Sequence, residues 1–326
     1  MAAKTAPIRS ADGDTLVLRP ARRGGIKMFG EVTLLTGPAL IVFLGFVIAP
    51  LAYAAYVGLF NWKGVGAPTN FIGLKNYVGA LTDPLFWKAV SHNLEIAVLS
   101  LVVQGPLALV MALLLNRKMK GRGLLRVLLF IPYVISEAIV GIGWSLFVGM
   151  SGAKSGAVNA ILNGMGLGSL THAWLDQSTA LWVLLLICTW KYIGFAVILF
   201  LAGMQGVPEE LSEAAAVDGA SFWRTQWHIT VPLLGPTLRI WAFLSIIGSM
   251  QLFDLVNVIW GSRNAWIMGV DTMATYMYRN GAYSGTYGRG DAIAAVMFVL
   301  TLILALIYQR FVLRRDTEGA LTGGRN

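Results

Sequence analysis

Five residues in apolar surroundings carry the groups most able to do chemistry in this sequence. Glu137 is the only charge between Arg126 and Lys154, Lys191 the only one between Asp176 and Glu209, and Asp254 the only one between Arg239 and Arg263. A charge in such surroundings is costly, so it marks either a functional site or a pair that satisfies itself. Glu137 and Lys191, opposite in sign, suit a structural ion pair or direct contact with a polar solute. Gln251, Asp254 and Asn257 recur at i, i+3 and i+6, and on a helix they share one broad face. Their amide and carboxylate groups suit a hydroxyl-rich solute, which both donates and accepts. Trp190 and Tyr192 flank Lys191, where an aromatic ring serves stacking or plain packing. Catalytic constellations do not emerge. His92, His172 and His228 lack metal-ligand spacing, and no Gly-rich loop ends in Lys-Ser or Lys-Thr, so ATP is not bound here by that device. The single cysteine, Cys188, sits in an apolar run and reads as packing.

The elements that must position these groups follow from composition. The chain has 326 residues, 56% of them hydrophobic and 13% charged, with mean hydropathy +0.68, against about 25% charged in a soluble domain. Such a chain cannot keep its surface in water. Spanning hydrocarbon takes about 20 mostly apolar residues as a helix. Six stretches qualify: near 32 to 59, 91 to 115, within 126 to 154, within 176 to 209, within 239 to 263, and within 291 to 310. Prolines 38, 50, 106 and 132 fall in or beside them, which membrane helices tolerate. The net charge of +9 is unevenly spread: seventeen Lys and Arg lie on the side of the termini and seven on the other, with Lys191 between. By the positive-inside rule both termini are cytoplasmic. The first 28 residues have basic residues but no apolar core, so they read as a retained tail rather than a cleaved signal.

Between the fourth and fifth spans, residues 207–232 are too long and too patterned for a mere connector. Pro208 suits a first helical position, Glu209 and Glu210 suit the positive end of the helix, and Leu211, Ala214 and Ala215 share a face. Gly219 can end that helix in the left-handed conformation, and Ser221 can cap a second, Phe222 to His228. Glu213-Ala214-Ala215, then Gly219, Ile229 and Pro232 at fixed spacing, resemble the EAA loop of binding-protein-dependent ABC permeases, Val231 standing where leucine is usual. Phe71-Ile-Gly-Leu-Lys-Asn-Tyr77 with Phe86, Trp87 and Asn93, and Leu114 to Arg122 with Phe130-Ile-Pro132, resemble permeases of the maltose and glycerol-3-phosphate kind.

That resemblance, over about residues 30 to 315, implies an all-α integral membrane fold of the ABC type I importer permease kind: six transmembrane helices and an EAA-type cytoplasmic coupling loop. The expected organisation is a cytoplasmic tail (1–28), a first transmembrane helix (29–60), an outer loop (61–90), a five-helix core (91–313) containing the coupling loop (204–238), and a cytoplasmic tail (314–326). It implies a plasma-membrane location in a bacterium, and a sugar or sugar-like solute delivered by an extracellular solute-binding protein. Other implied partners are a second permease subunit, this chain being the first of a heterodimer, and an ATP-binding subunit dimer. No cofactor is expected on this chain, ATP and Mg residing on that dimer, and no nucleic acid is expected. The chain itself is expected not to be an enzyme. The expected coupling residues are Glu213, Ala214, Ala215, Asp218, Gly219, Ile229 and Pro232. Two readings compete: an ion-coupled secondary transporter using Glu137, Lys191 or Asp254, and a polyamine or amino-acid permease.

Overall fold

A computed structural model of the chain describes residues 25–117, 119–149 and 156–313, in two compact units, 1–53 and 54–326. Helices dominate, and among the described residues the one β feature is an isolated bridge between Phe60 and Phe71. The first unit carries most of α1 (Phe29–Val57), whose described residues up to Tyr53 include none that is buried. In the second unit come α2 (Lys75–Thr82), α3 (Pro84–Leu115), α4 (Arg122–Val134), α5 (Glu137–Val148) and α6 (Ala157–Gly164). They are followed by α7 (Ala180–Met204), α8 (Glu209–Val217), α9 (Phe222–Thr225), α10 (Gly235–Met250), α11 (Asp254–Ile259), α12 (Met273–Tyr278) and α13 (Tyr287–Leu313). The expected tails 1–24 and 314–326 lie outside the described residues.

Among the described residues, five elements are long and apolar enough to cross a membrane: α1, α3, α7, α10 with α11, and α13. The third expected span, within 126 to 154, is different. α4 and α5 qualify only as a pair, bent by 96°. Ile135 is extended there, with ψ 136°, and Ser136 starts α5 by accepting from the Ile139 N–H at 3.4 Å. α3 also begins earlier than expected, at Pro84, where Asp83 caps it by accepting from the Leu85 N–H at 2.9 Å.

Three prolines leave a repeated mark. Leu44–Ile48, Ser100–Gln104 and Gln226–Thr230 are π-helical turns, and each is followed by one residue and then Pro50, Pro106 or Pro232. The intervening residue donates five positions back: Ala49 to Leu44, Gly105 to Ser100, Val231 to Gln226. Proline has no N–H and its ring crowds the carbonyl four residues earlier. Widening the preceding turn relieves that crowding. Pro38 and Pro132 sit inside helices without such a turn.

α7 is the most buried of the spanning helices, with 56% of its apolar window inside the protein. Its lower half, with Ile193, Ala196, Val197 and Phe200, packs with Ala108, Ala112 and Leu113 of α3. Its upper half, with Leu184 and Ile187, packs with Val140 of α5 and with Leu255 and Val256 of α11. At Gly194 a Cβ would run into the Leu129 carbonyl, so α4 and α7 approach as closely as backbone allows. A third core joins Phe86 and Ala89 of α3 to Met273 and Tyr276 of α12 and Ile293 of α13.

Candidate functional site

α3, α4, α7 and α10 enclose a cavity of about 290 Å³. Ser100 and Gln104 reach it from the wide turn of α3, Tyr133 from α4, and Cys188, Thr189, Tyr192 and Phe195 from α7. Trp241, Ser245 and Ser249 of α10 line the facing wall, with Leu252 just past its end. None of these side chains bears a formal charge. Ser100 Oγ donates to Gln104 Oε1 at 2.5 Å and lies 2.7 Å from Ser245 Oγ. Ser249 Oγ donates to the Ser245 carbonyl at 2.8 Å. Tyr133 and Phe195 stack at 5.1 Å between centroids with 20° between planes. Hydroxyl and amide groups, which both donate and accept, thus stand beside flat ring faces, which fits a neutral molecule with many hydroxyls and an apolar face.

The expected polar residues take separate places. Lys191 is buried, and its Nζ donates to the carbonyls of Ile135 at 2.7 Å and Tyr133 at 3.5 Å, at the end of α4. Glu137 sits in the first turn of α5, where the helix dipole favours an anion, and accepts from the Tyr192 hydroxyl. The expectation of a Lys191–Glu137 ion pair is therefore corrected: each stabilises a different side of the α4–α5 bend. Trp190, exposed, packs edge-on against Trp144 of α5 at 5.6 Å, outside the cavity.

The helical face expected for Gln251, Asp254 and Asn257 does not exist, because the helix breaks between Met250 and Asp254. Gln251 lies in the break and is exposed, as is Asp254 at the start of α11. Asn257 Oδ1 is taken up within its own turn, accepting from Ser262 N at 3.0 Å and Ser262 Oγ at 2.6 Å. None of the three lines the cavity.

The α8–α9 segment folds as its sequence dictates. Pro208 occupies the cap rather than the first helical position, and Glu209 and Glu210 make the first turn. Gly219, at φ +78°, ends the helix. Its N–H bonds the Ala216 carbonyl at 3.1 Å and the Ala220 N–H bonds that of Ala215 at 2.9 Å, the two-bond Schellman ending. Ser221 precedes α9 without a side-chain capping bond, and the second helix passes into the wide turn at Gln226 rather than continuing to His228. Glu213, Ala214, Asp218 and Pro232 are exposed, while Ala215 and Ile229 are half-buried. The Arg117 guanidinium, near the end of α3, lies 4.6 Å over the Phe222 ring.

At the opposite end of α3, Tyr276 donates to Asp83 Oδ2 at 2.6 Å, and Arg289 approaches the same oxygen at 3.4 Å. Burial, reinforced by this bond to Asp83, pushes the Tyr276 phenol up to about 12.

Of the residues singled out in the sequence Tyr192 lines the cavity, but reasoning centred on isolated charges missed Ser100, Gln104, Ser245 and Ser249. The signal was a spacing: Ser100 with Gln104, and Ser245 with Ser249, each place two polar groups at i and i+4 within apolar stretches of their helices.

A family model described as "binding-protein-dependent transport system inner membrane component" matches residues 104–316. The arabinooligosaccharides transport system permease protein AraP of Bacillus subtilis (strain 168) is 33% identical over 276 residues, covering 84% of this chain and 86% of that protein. The trehalose/maltose transport system permease protein MalF of Thermococcus litoralis is 32% identical over 272 residues, covering 83% and 90%. A chain from the crystal structure of a bacterial alginate ABC transporter, in complex with an alginate pentasaccharide-bound periplasmic protein, superposes with TM-score 0.73 at 24% identity, over 89% of this chain and 96% of that one.

Proposed function

Because the chain belongs to the family of binding-protein-dependent transport system inner membrane components, we propose that it is the permease subunit of an ATP-driven importer that passes a sugar or sugar-like solute through the cavity between α3, α4, α7 and α10. The observation that carries the solute class is the cavity lining: serine hydroxyls and an amide beside stacked aromatic rings, with no formal charge. A charged polyamine or amino acid would find no counter-ion there. The named relatives transport oligosaccharides and disaccharides, which supports the same reading. In this reading the cavity is completed by a second permease subunit and filled from an extracellular solute-binding protein. A dimer of ATP-binding subunits, which holds ATP and Mg, docks on the α8–α9 loop through Glu213, Ala214, Ala215, Asp218 and Gly219, with Ile229 and Pro232 fixing the loop's return. Both termini then lie in the cytoplasm of a bacterial cell.

The test is uptake by the reconstituted complex, using labelled maltose, trehalose and arabinooligosaccharides. Ser245→Ala and Ser100→Ala each remove a hydrogen bond worth about 0.5–1.5 kcal/mol. The half-saturating concentration of the transported sugar should rise several-fold with normal yield of complex. Unchanged half-saturation in both variants would overturn the cavity as the solute path. Uptake that persists without ATP but stops when the ion gradient collapses would instead identify an ion-coupled transporter.

A further inference from the structure

We propose that Asn93 and Thr272 are positioning residues for solute selection, holding from behind the cavity wall formed by Ser249 and Leu252. The inference rests on the cavity being the solute path. α10 ends at Met250, and the last carbonyls of any helix lack intrahelical partners. Here the Ser249 carbonyl in the last turn and the Leu252 carbonyl in the break are claimed by two side chains from elsewhere. Asn93 Nδ2 donates to the Ser249 carbonyl at 2.6 Å, and Thr272 Oγ1 donates to the Leu252 carbonyl at 2.8 Å. Ser249 and Leu252 both line the cavity, whereas neither Asn93 nor Thr272 does. The two braces therefore act on a solute only through the shape of the wall.

Both braces are themselves fixed. Asn93 and Thr272 are completely buried, each at 0% exposure. Asn93 Oδ1 accepts from the Met273 N–H at 2.8 Å, so one amide clamps the end of α10 to the start of α12. Thr272 caps α12 reciprocally with Thr275, and Thr275 Oγ1 donates to Asp271 Oδ1 at 2.7 Å. Asp271 is in turn held by Arg279 at 2.7 Å. A polar network with its bonds made specifies one arrangement where apolar packing would allow several. Displacing residues 271–273 thus displaces the wall that carries Ser249.

Cys188, the protein's single cysteine, lines the same cavity and reports on it without any label being introduced. In the purified, assembled complex, the rate at which N-ethylmaleimide alkylates Cys188 should rise several-fold in Thr272→Val and in Asn93→Asp. The first loses the bond to Leu252; the second keeps the acceptor for Met273 but loses the donor to Ser249. Thr272→Ser, which keeps the hydroxyl, should stay within about twofold of the unsubstituted protein. Wild-type alkylation rates in both disruptive variants would overturn the proposal. So would failure of both to assemble while Thr272→Ser assembles normally, since the pair would then be structural only. Protection of wild-type Cys188 by saturating maltose or trehalose is a separate measurement: its absence counts against the solute path, whereas the alkylation rates of the variants judge the braces.

Discussion

The Nζ of Lys191 donates to the backbone carbonyl of Ile135 at 2.7 Å, and by that bond a cation on α7 closes the open end of α4 where the chain turns by 96°. A buried ammonium finds its partners in carbonyl oxygens that would otherwise be orphaned, so the cost of burying each is offset by the other.

Lys191→Met should therefore lower the stability of the assembled complex by about 1.5–3 kcal/mol, the range for a hydrogen bond to a charged group. Thermal unfolding of the purified complex checks this. An unchanged midpoint together with lost uptake would make Lys191 a solute contact rather than a strut.

Gly219 has positive φ but open space around its Cβ position, so a side chain there costs conformational strain alone, roughly 1–2 kcal/mol for valine. Gly219→Val should distort the end of α8, leaving ATP hydrolysis less productive of uptake in the same proteoliposomes. Gly219→Asn, which tolerates the left-handed region, should keep most of the coupling. Equal transport per ATP in the two variants would argue against the loop as the docking element.

Alkali should act through Tyr276. Its phenol is raised from 10.0 to about 12 in the folded chain, by burial and then by Asp83, with Arg289 opposing. A folded-state value above the unfolded one means stability is fully present below pH 10 and is lost as pH rises toward 12. Unfolding curves across that window should fall less steeply in Tyr276→Phe than in the unsubstituted protein. Parallel curves would remove Tyr276 from the account.

Topology is accessible to thiol chemistry in a Cys188→Ser background. Asn70→Cys and Ser284→Cys, both at exposed positions, should react with an impermeant maleimide added outside the cell. Ser221→Cys, in the α8–α9 loop, should react only after the membrane is opened. The reverse pattern would invert the orientation read from the charges. Ser155, which the charge count also places outside between the third and fourth expected spans, lies outside the described residues.

Long-range features were legible where one local rule governed them. Long apolar stretches holding at most one charge located the spans, and the Pro208-to-Gly219 pattern located α8 and its left-handed end. What could not be read was which neighbour each polar group would meet. Glu137 and Lys191 invited pairing by sign, yet the bend between Val134 and Glu137 exposed carbonyls and an N-terminus that each took one of them. No sequence rule placed the break at Gln251 to Phe253, because the Ser249 carbonyl just before it and the Leu252 carbonyl within it are satisfied by Asn93 and Thr272, distant along the chain. The helical face of Gln251, Asp254 and Asn257 failed for that reason.

The wide turn at Ser100–Gln104 also constrains how the chain can change length. Dropping one residue there would give a regular α-helix across the junction, with hydrogen bonds intact up to the proline. The widened turn already absorbs that extra residue, so Gly105–Leu115 would keep Ala108, Ala112 and Leu113 against α7. A single-residue gap aligned at this point therefore encodes the loss of the wide turn, with the helix on either side left in register.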